Sequence, residues 1–125
     1  MICLDTSVLV EGLGAGGSLR QAMREAIAGG DRLVVPSLVL YEWLRGPRLA
    51  AELRAQEALF PASEAISFGP EEARLAAELY RRVKRPRGRE VDLAIAACAL
   101  SWNATLWTMN AADFLDIPGL PVRGP

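Results

Sequence analysis

Residues 90–108, EVDLAIAACALSWNATLWT, decide the class of fold. After Glu90, Val91 and Asp92, the next eight residues are apolar without interruption. A helix that is hydrophobic all round is covered all round, so Glu90–Leu100 reads as a buried helix with an acid in its first turn. Asn103–Ala104 reads as a turn and Leu106–Thr108 as a short apolar strand. Short, unalternating strands next to apolar helices are the pattern of a parallel sheet covered on both faces.

The same pattern continues outward toward the N-terminus. Met1–Leu4 is a short apolar run ended by Asp5, and Thr6 or Ser7 is placed to cap a helix through Leu13. The Gly-rich 12–17 stretch, GLGAGG, lacks the lysine and hydroxyl of a phosphate-binding loop and reads as a linker. Leu19, Met23, Ala26 and Ile27 then recur at helical spacing, and Gly29–Gly30 stops the run. Arg32–Pro36 is a second strand, Ser37 is placed to cap SLVLYEWLRG, and Arg48–Phe60 is a further amphipathic stretch. Ala65–Phe68 reads as a third strand, and Pro70 opens a helix whose first turn holds Glu71 and Glu72. Beyond the fourth strand lie a short NAADF helix and a tail, LDIPGLPVRGP. The expected fold is α/β: a three-layer sandwich with a short, mostly parallel central sheet covered by helices, in a single domain over residues 1–125.

Composition removes several functions. The 125 residues contain no histidine, which excludes histidine-based triads and histidine-ligated zinc. Cys3 and Cys98 sit in apolar runs and read as buried thiols of a reducing compartment. Asp5 interrupts the apolar start, no basic leader precedes it, and no run of eighteen apolar residues occurs. A cytoplasmic location with no membrane association is the expectation. The formal net charge of −1 is unevenly spread. Arg81, Arg82, Lys84, Arg85, Arg87 and Arg89 form one basic run, leaving eight basic against fifteen acidic residues elsewhere. One phosphate-contacting patch on an acidic body is implied, not a broadly basic surface.

Four acids stand out. Asp5 follows the first strand, and clefts in open parallel sheets lie beyond the carboxyl ends of strands. Helix capping is its alternative role. Asp92 opens the buried helix at the same edge, where it would also complement the helix dipole. Glu42 lies mid-helix, where a solvated glutamate is the ordinary alternative, but its neighbours Tyr41 and Trp43 argue against open solvent on that face. Asp113 follows the fourth strand by five residues and alone would be an ordinary surface acid. Gathered together, such carboxylates need cations or protons to offset their repulsion. With only oxygen ligands at hand, hard ions such as Mg²⁺ or Mn²⁺ are favoured over zinc. Such ions suit phosphodiester hydrolysis, one or two of them activating water and offsetting phosphoryl charge. Ser7 and Thr108 offer hydroxyls and Asn110 an amide in support.

These residues carry a family resemblance. ICLDTSVLV, Glu42 in SLVLYEWLRG, Asp92 in EVDLAIAACAL, TMNAADF at 108–114 and LDIPGL at 115–120 together resemble PIN domains, specifically the VapC-type toxins. The resemblance runs from residue 1 to about 120. It implies a parallel α/β sandwich and an endoribonuclease dependent on Mg²⁺ or Mn²⁺, with Asp5, Glu42, Asp92 and Asp113 as catalytic and metal-ligating acids. It also implies RNA as substrate, a cognate antitoxin covering the site, and a homodimer formed through the helices after the second strand. Two departures accompany it. Asn110 stands where relatives often carry an acid, so the fourth-acid role falls to Asp113, as an outer-sphere group. Met109 stands where many carry a basic residue. Within the basic run, Lys84, Arg85, Arg87 and Arg89 are the candidates for contact with RNA phosphates or antitoxin acids. An RNA-processing or repair nuclease of the same fold, and a non-catalytic RNA- or protein-binding module, are the competing readings.

Overall fold

The computed structural model describes all 125 residues. Four strands, β1 (Ile2–Leu4), β2 (Leu33–Val34), β3 (Thr105–Trp107) and β4 (Val122–Arg123), form one sheet in the order β2-β1-β3-β4. Every pairing is parallel: Cys3 lies opposite Val34 on one side and Leu106 on the other, and Leu106 lies opposite Val122. Six helices complete the chain: α1 (Thr6–Leu13), α2 (Arg20–Ala28), α3 (Ser37–Arg45), α4 (Ala50–Leu59), α5 (Pro70–Arg82) and α6 (Glu90–Ser101). The result is a three-layer α/β sandwich around a short parallel sheet. No helix is long and apolar enough to cross a membrane.

The α6 helix shows why the layers close. Its residues Leu93–Ala99 are all buried, packed between α5, α3 and strand β3. Alanines dominate the run, so backbones approach closely while Leu93 and Ile95 fill the space left over. Asn103 then takes a left-handed conformation (φ 52°), tolerated by its short polar side chain, and turns the chain into β3. Gly30 (φ 97°) makes the corresponding turn between α2 and β2. Both cysteines are buried free thiols, and burial pushes that of Cys98 up to about 11.

Three elements differ from the sequence expectation. Ala65–Phe68 does not form a strand: Ile66 alone bridges Pro36, donating its N–H to the Val35 carbonyl and accepting from Ser37. Pairing ends there because its partner coils into α3 at Ser37. Ser37 is the first helical residue and makes no side-chain cap; the N-cap position belongs to Pro36. The tail is not loose, since Val122–Arg123 adds the edge strand β4 and the Arg123 guanidinium stacks 3.8 Å over the buried Trp107 ring. In addition, NAADF becomes a 3-10 turn, Ala111–Phe114, with only Phe114 buried.

Because Ile95 is fully buried in the helix that all layers share, Ile95→Ala should lower unfolding free energy by about 2–5 kcal/mol. The neighbouring exposed Val91→Ala should stay within about 0.5 kcal/mol of the parent. Urea denaturation with an unchanged m-value checks both, and equal losses at the two positions would contradict this packing.

Candidate active site

The two central strands, β1 and β3, end side by side, and Asp5 and Thr108 are the residues immediately beyond them. Asp5 is only 6% exposed. A carboxylate that deep is tolerated only when its oxygens are hydrogen-bonded. Oδ1 accepts the Thr6 N–H at 2.8 Å; Oδ2 accepts the Thr108 hydroxyl at 2.7 Å and the Ser7 hydroxyl at 3.2 Å. Asp5, and neither Thr6 nor Ser7, is therefore the N-cap of α1. It holds that place while presenting its second oxygen to the sheet's edge.

The hydroxyls are themselves held. Ser7 Oγ accepts the Met109 N–H at 3.1 Å, and Thr108 Oγ1 accepts the Asn110 N–H at 3.0 Å. The Asn110 main chain thus fastens the site, while its side chain makes no hydrogen bond within the protein. The sequence offers Thr6 only as a helix cap, yet its hydroxyl donates to Glu42 Oε1 at 2.6 Å and links α1 to α3. Its place beside Asp5 in the D-T-S run was the available signal. Glu42 Oε2 receives a longer contact, 3.5 Å, from the exposed Arg45.

Asp92 completes the cluster from the first turn of α6, partly buried. Burial, and then the charges of Asp5, Asp113 and Glu42, push its carboxyl above the ordinary range; Arg89 alone pulls it down. The charges of three acids from separate stretches of the chain therefore reach Asp92. Asp113 is exposed on the 3-10 turn at the rim. The carboxylates do not close on a single point, and no group of three or more is drawn together tightly enough to hold a metal ion. Glu42 is drawn instead to Thr6 and Arg45.

The basic run borders the site unevenly. Lys84, Arg85 and Arg87 are exposed and have no acid within ion-pairing distance. Arg89 turns inward, its fork bound by Asp116 at 2.7 and 2.9 Å and by the Asp113 carbonyl at 2.8 Å. An open cleft beside the acids is lined by Arg85, Arg89, Asp113 and Asp116.

The PIN-domain family model matches residues 2–120 of this parallel α/β sandwich. The chain belongs to the PIN-domain family. It is 34% identical to Ribonuclease VapC19 of Mycobacterium tuberculosis over 122 residues, 96% of this chain and 97% of that one. Among solved structures, VapBC2 from Rickettsia felis bound to a promoter DNA fragment superposes with a TM-score of 0.79 at 24% identity, over 100% of this chain and 99% of that one. A toxin–antitoxin complex from Klebsiella pneumoniae gives 0.71 at 25% identity, over 100% and 98%.

The field on Asp92 has a consequence for stability. A carboxyl whose pKa is raised by folding binds its proton more tightly in the folded state. Its penalty is absent below the unfolded-state pKa and grows as pH rises through the folded one. In EDTA, Asp92→Asn should therefore melt above the natural chain near pH 7. That gain should shrink toward zero near pH 4 or below. Thermal unfolding at both pH values is the check, and a variant less stable near pH 7 would contradict the clustering.

Proposed function

We propose that this chain is a metal-dependent endoribonuclease, acting as the toxin of a type II toxin–antitoxin pair and built as one PIN domain over residues 1–125. The observation that carries the reading is the partly buried Asp92 carboxyl, raised by burial and then by the charges of Asp5, Asp113 and Glu42. Acids so placed repel one another, and their donor set is all oxygen. That chemistry fits Mg²⁺ or Mn²⁺ and no softer ion. The 34% identity to a ribonuclease over nearly the whole chain points to the same substrate class.

In this reading Asp5, Asp92 and Glu42 would hold the ion, with Asp113 acting from the rim. A bound divalent cation makes water a stronger nucleophile near neutral pH and offsets charge on the phosphoryl oxygens. The protein's own contribution is orientation. Ser7 and Thr108 fix the Asp5 carboxylate by their hydroxyls, and Thr6 fixes Glu42. Asn110 offers its side-chain amide beside them. Exposed Lys84, Arg85 and Arg87 suit contact with the phosphate backbone, which positions RNA without reading its sequence. The same cations suit acids of a cognate antitoxin. Exposed Tyr41 and Leu44 on α3 suit burial in a homodimer. A cytoplasmic site of action accords with an RNA target.

Purified protein should cleave structured RNAs, tRNA included, in Mg²⁺ or Mn²⁺, and lose that activity in EDTA. Asp5→Asn and Asp92→Asn should each lower cleavage by at least about 100-fold while retaining the fold by circular dichroism. Full activity in either variant or in EDTA would refute the assignment. RNA binding that is indifferent to divalent ions, with no cleavage, would favour a binding module. Preference for a DNA competitor would favour a repair nuclease.

A further inference from the structure

The six cations of the basic run occupy two environments. Arg81, Arg82, Lys84, Arg85 and Arg87 are exposed, whereas the Arg89 side chain is only 20% exposed. Its Nη1 donates to Asp116 Oδ2 at 2.9 Å, and its Nη2 donates to Asp116 Oδ1 at 2.7 Å and to the Asp113 carbonyl at 2.8 Å. Two parallel bonds to one carboxylate match a planar guanidinium and have no equivalent in an ammonium.

The position of this fork in the chain gives it meaning. Arg89 is the residue immediately before α6, at an end with no side-chain cap. Asp92 lies one turn further on, and Asp113 sits on the 3-10 turn, which packs chiefly on β4. The bonds from Arg89 are the hydrogen bonds that join the start of α6 to the segment carrying Asp113. The Arg89 guanidinium feels the charges of Asp92 and Asp113, yet its hydrogen bonds go to the Asp116 carboxylate and the Asp113 carbonyl. The engagement is mutual, because the Arg89 hydrogen bond holds the Asp116 carboxyl below its usual range.

We infer that Arg89 is a positioning residue: clamped by Asp116, it sets the segment bearing Asp113 against the helix bearing Asp92. Arg89 then belongs to the architecture of the site and not to the phosphate-contacting ridge. The inference rests on the ion-holding reading given above.

The test is Mn²⁺ binding by the full-length chain, followed by calorimetry or by the electron paramagnetic resonance of free Mn²⁺. Arg89→Gln and Asp116→Asn are the variants, and no RNA is needed. Charge alone would make the two move oppositely, since losing a cation favours Mn²⁺ and losing an anion disfavours it. Positioning makes both weaken Mn²⁺ binding, by about tenfold each. Arg89→Lys keeps the charge without the fork and should weaken binding likewise, which decides the matter even if Arg89→Gln does not fold. RNA affinity measured in EDTA across salt concentrations should keep its slope in Arg89→Gln. A slope smaller by about one would assign Arg89 to a phosphate and overturn the inference. Tighter Mn²⁺ binding by Arg89→Gln, or unchanged binding by Arg89→Lys, would overturn it too. A natural chain that binds no Mn²⁺ would bring down the ion-holding reading itself, a distinct result.

Discussion

The burial of one carboxylate, Asp5, organises the rest of this molecule. At 6% exposure it stands where β1 becomes α1, and each of its oxygens is engaged by a donor from the protein. Those donors come from α1 and from the residue beyond β3, and the shortest of the bonds, from Thr108 at 2.7 Å, forms only when the two central strands lie in register. An unpaired carboxylate at this depth would cost several kcal/mol. The sheet order β2-β1-β3-β4 and the chemistry of its edge are thus one constraint seen from two sides. Thr108, fully buried, satisfies itself in the same arrangement by donating to Asp5 and accepting from Asn110.

Much of this was readable in the order of residues, for identifiable reasons. Apolarity on every side of Leu93–Ala99 demands a covered helix whatever its neighbours. Acids just beyond short apolar runs fall at the carboxyl edge of a parallel sheet without any knowledge of distances. What escaped depends on pairing across the chain. Two-residue strands such as Val122–Arg123 have no periodicity to detect, and β4 exists because β3 offers it an edge and Trp107 offers Arg123 a ring. Ala65–Phe68 has the composition of a strand but loses its partner one residue after Pro36. The contacts of Thr6 with Glu42 and of Arg89 with Asp116 span 36 and 27 residues, separations over which no local pattern reports.

Charge varies in its burial around the site. Asp5 is buried and Asp92 partly so, Asp113 and most cations of the basic run stay in solvent, and Arg89 is engaged by Asp116 and the Asp113 carbonyl. Similarity to a ribonuclease along nearly the full chain, and to toxin–antitoxin structures in fold, accords with that arrangement.

Asp5 and Asp92 come from distant stretches of the chain, and the proposed function requires their oxygens to serve one ion. A crystal of this protein grown with Mn²⁺ and measured for anomalous scattering tests that requirement most directly. The account predicts a peak ligated by Asp5 and Asp92, with Glu42 turned toward it and away from Arg45. Anomalous density elsewhere on the surface, with Asp5 and Asp92 touching no ion at saturating Mn²⁺, would contradict it.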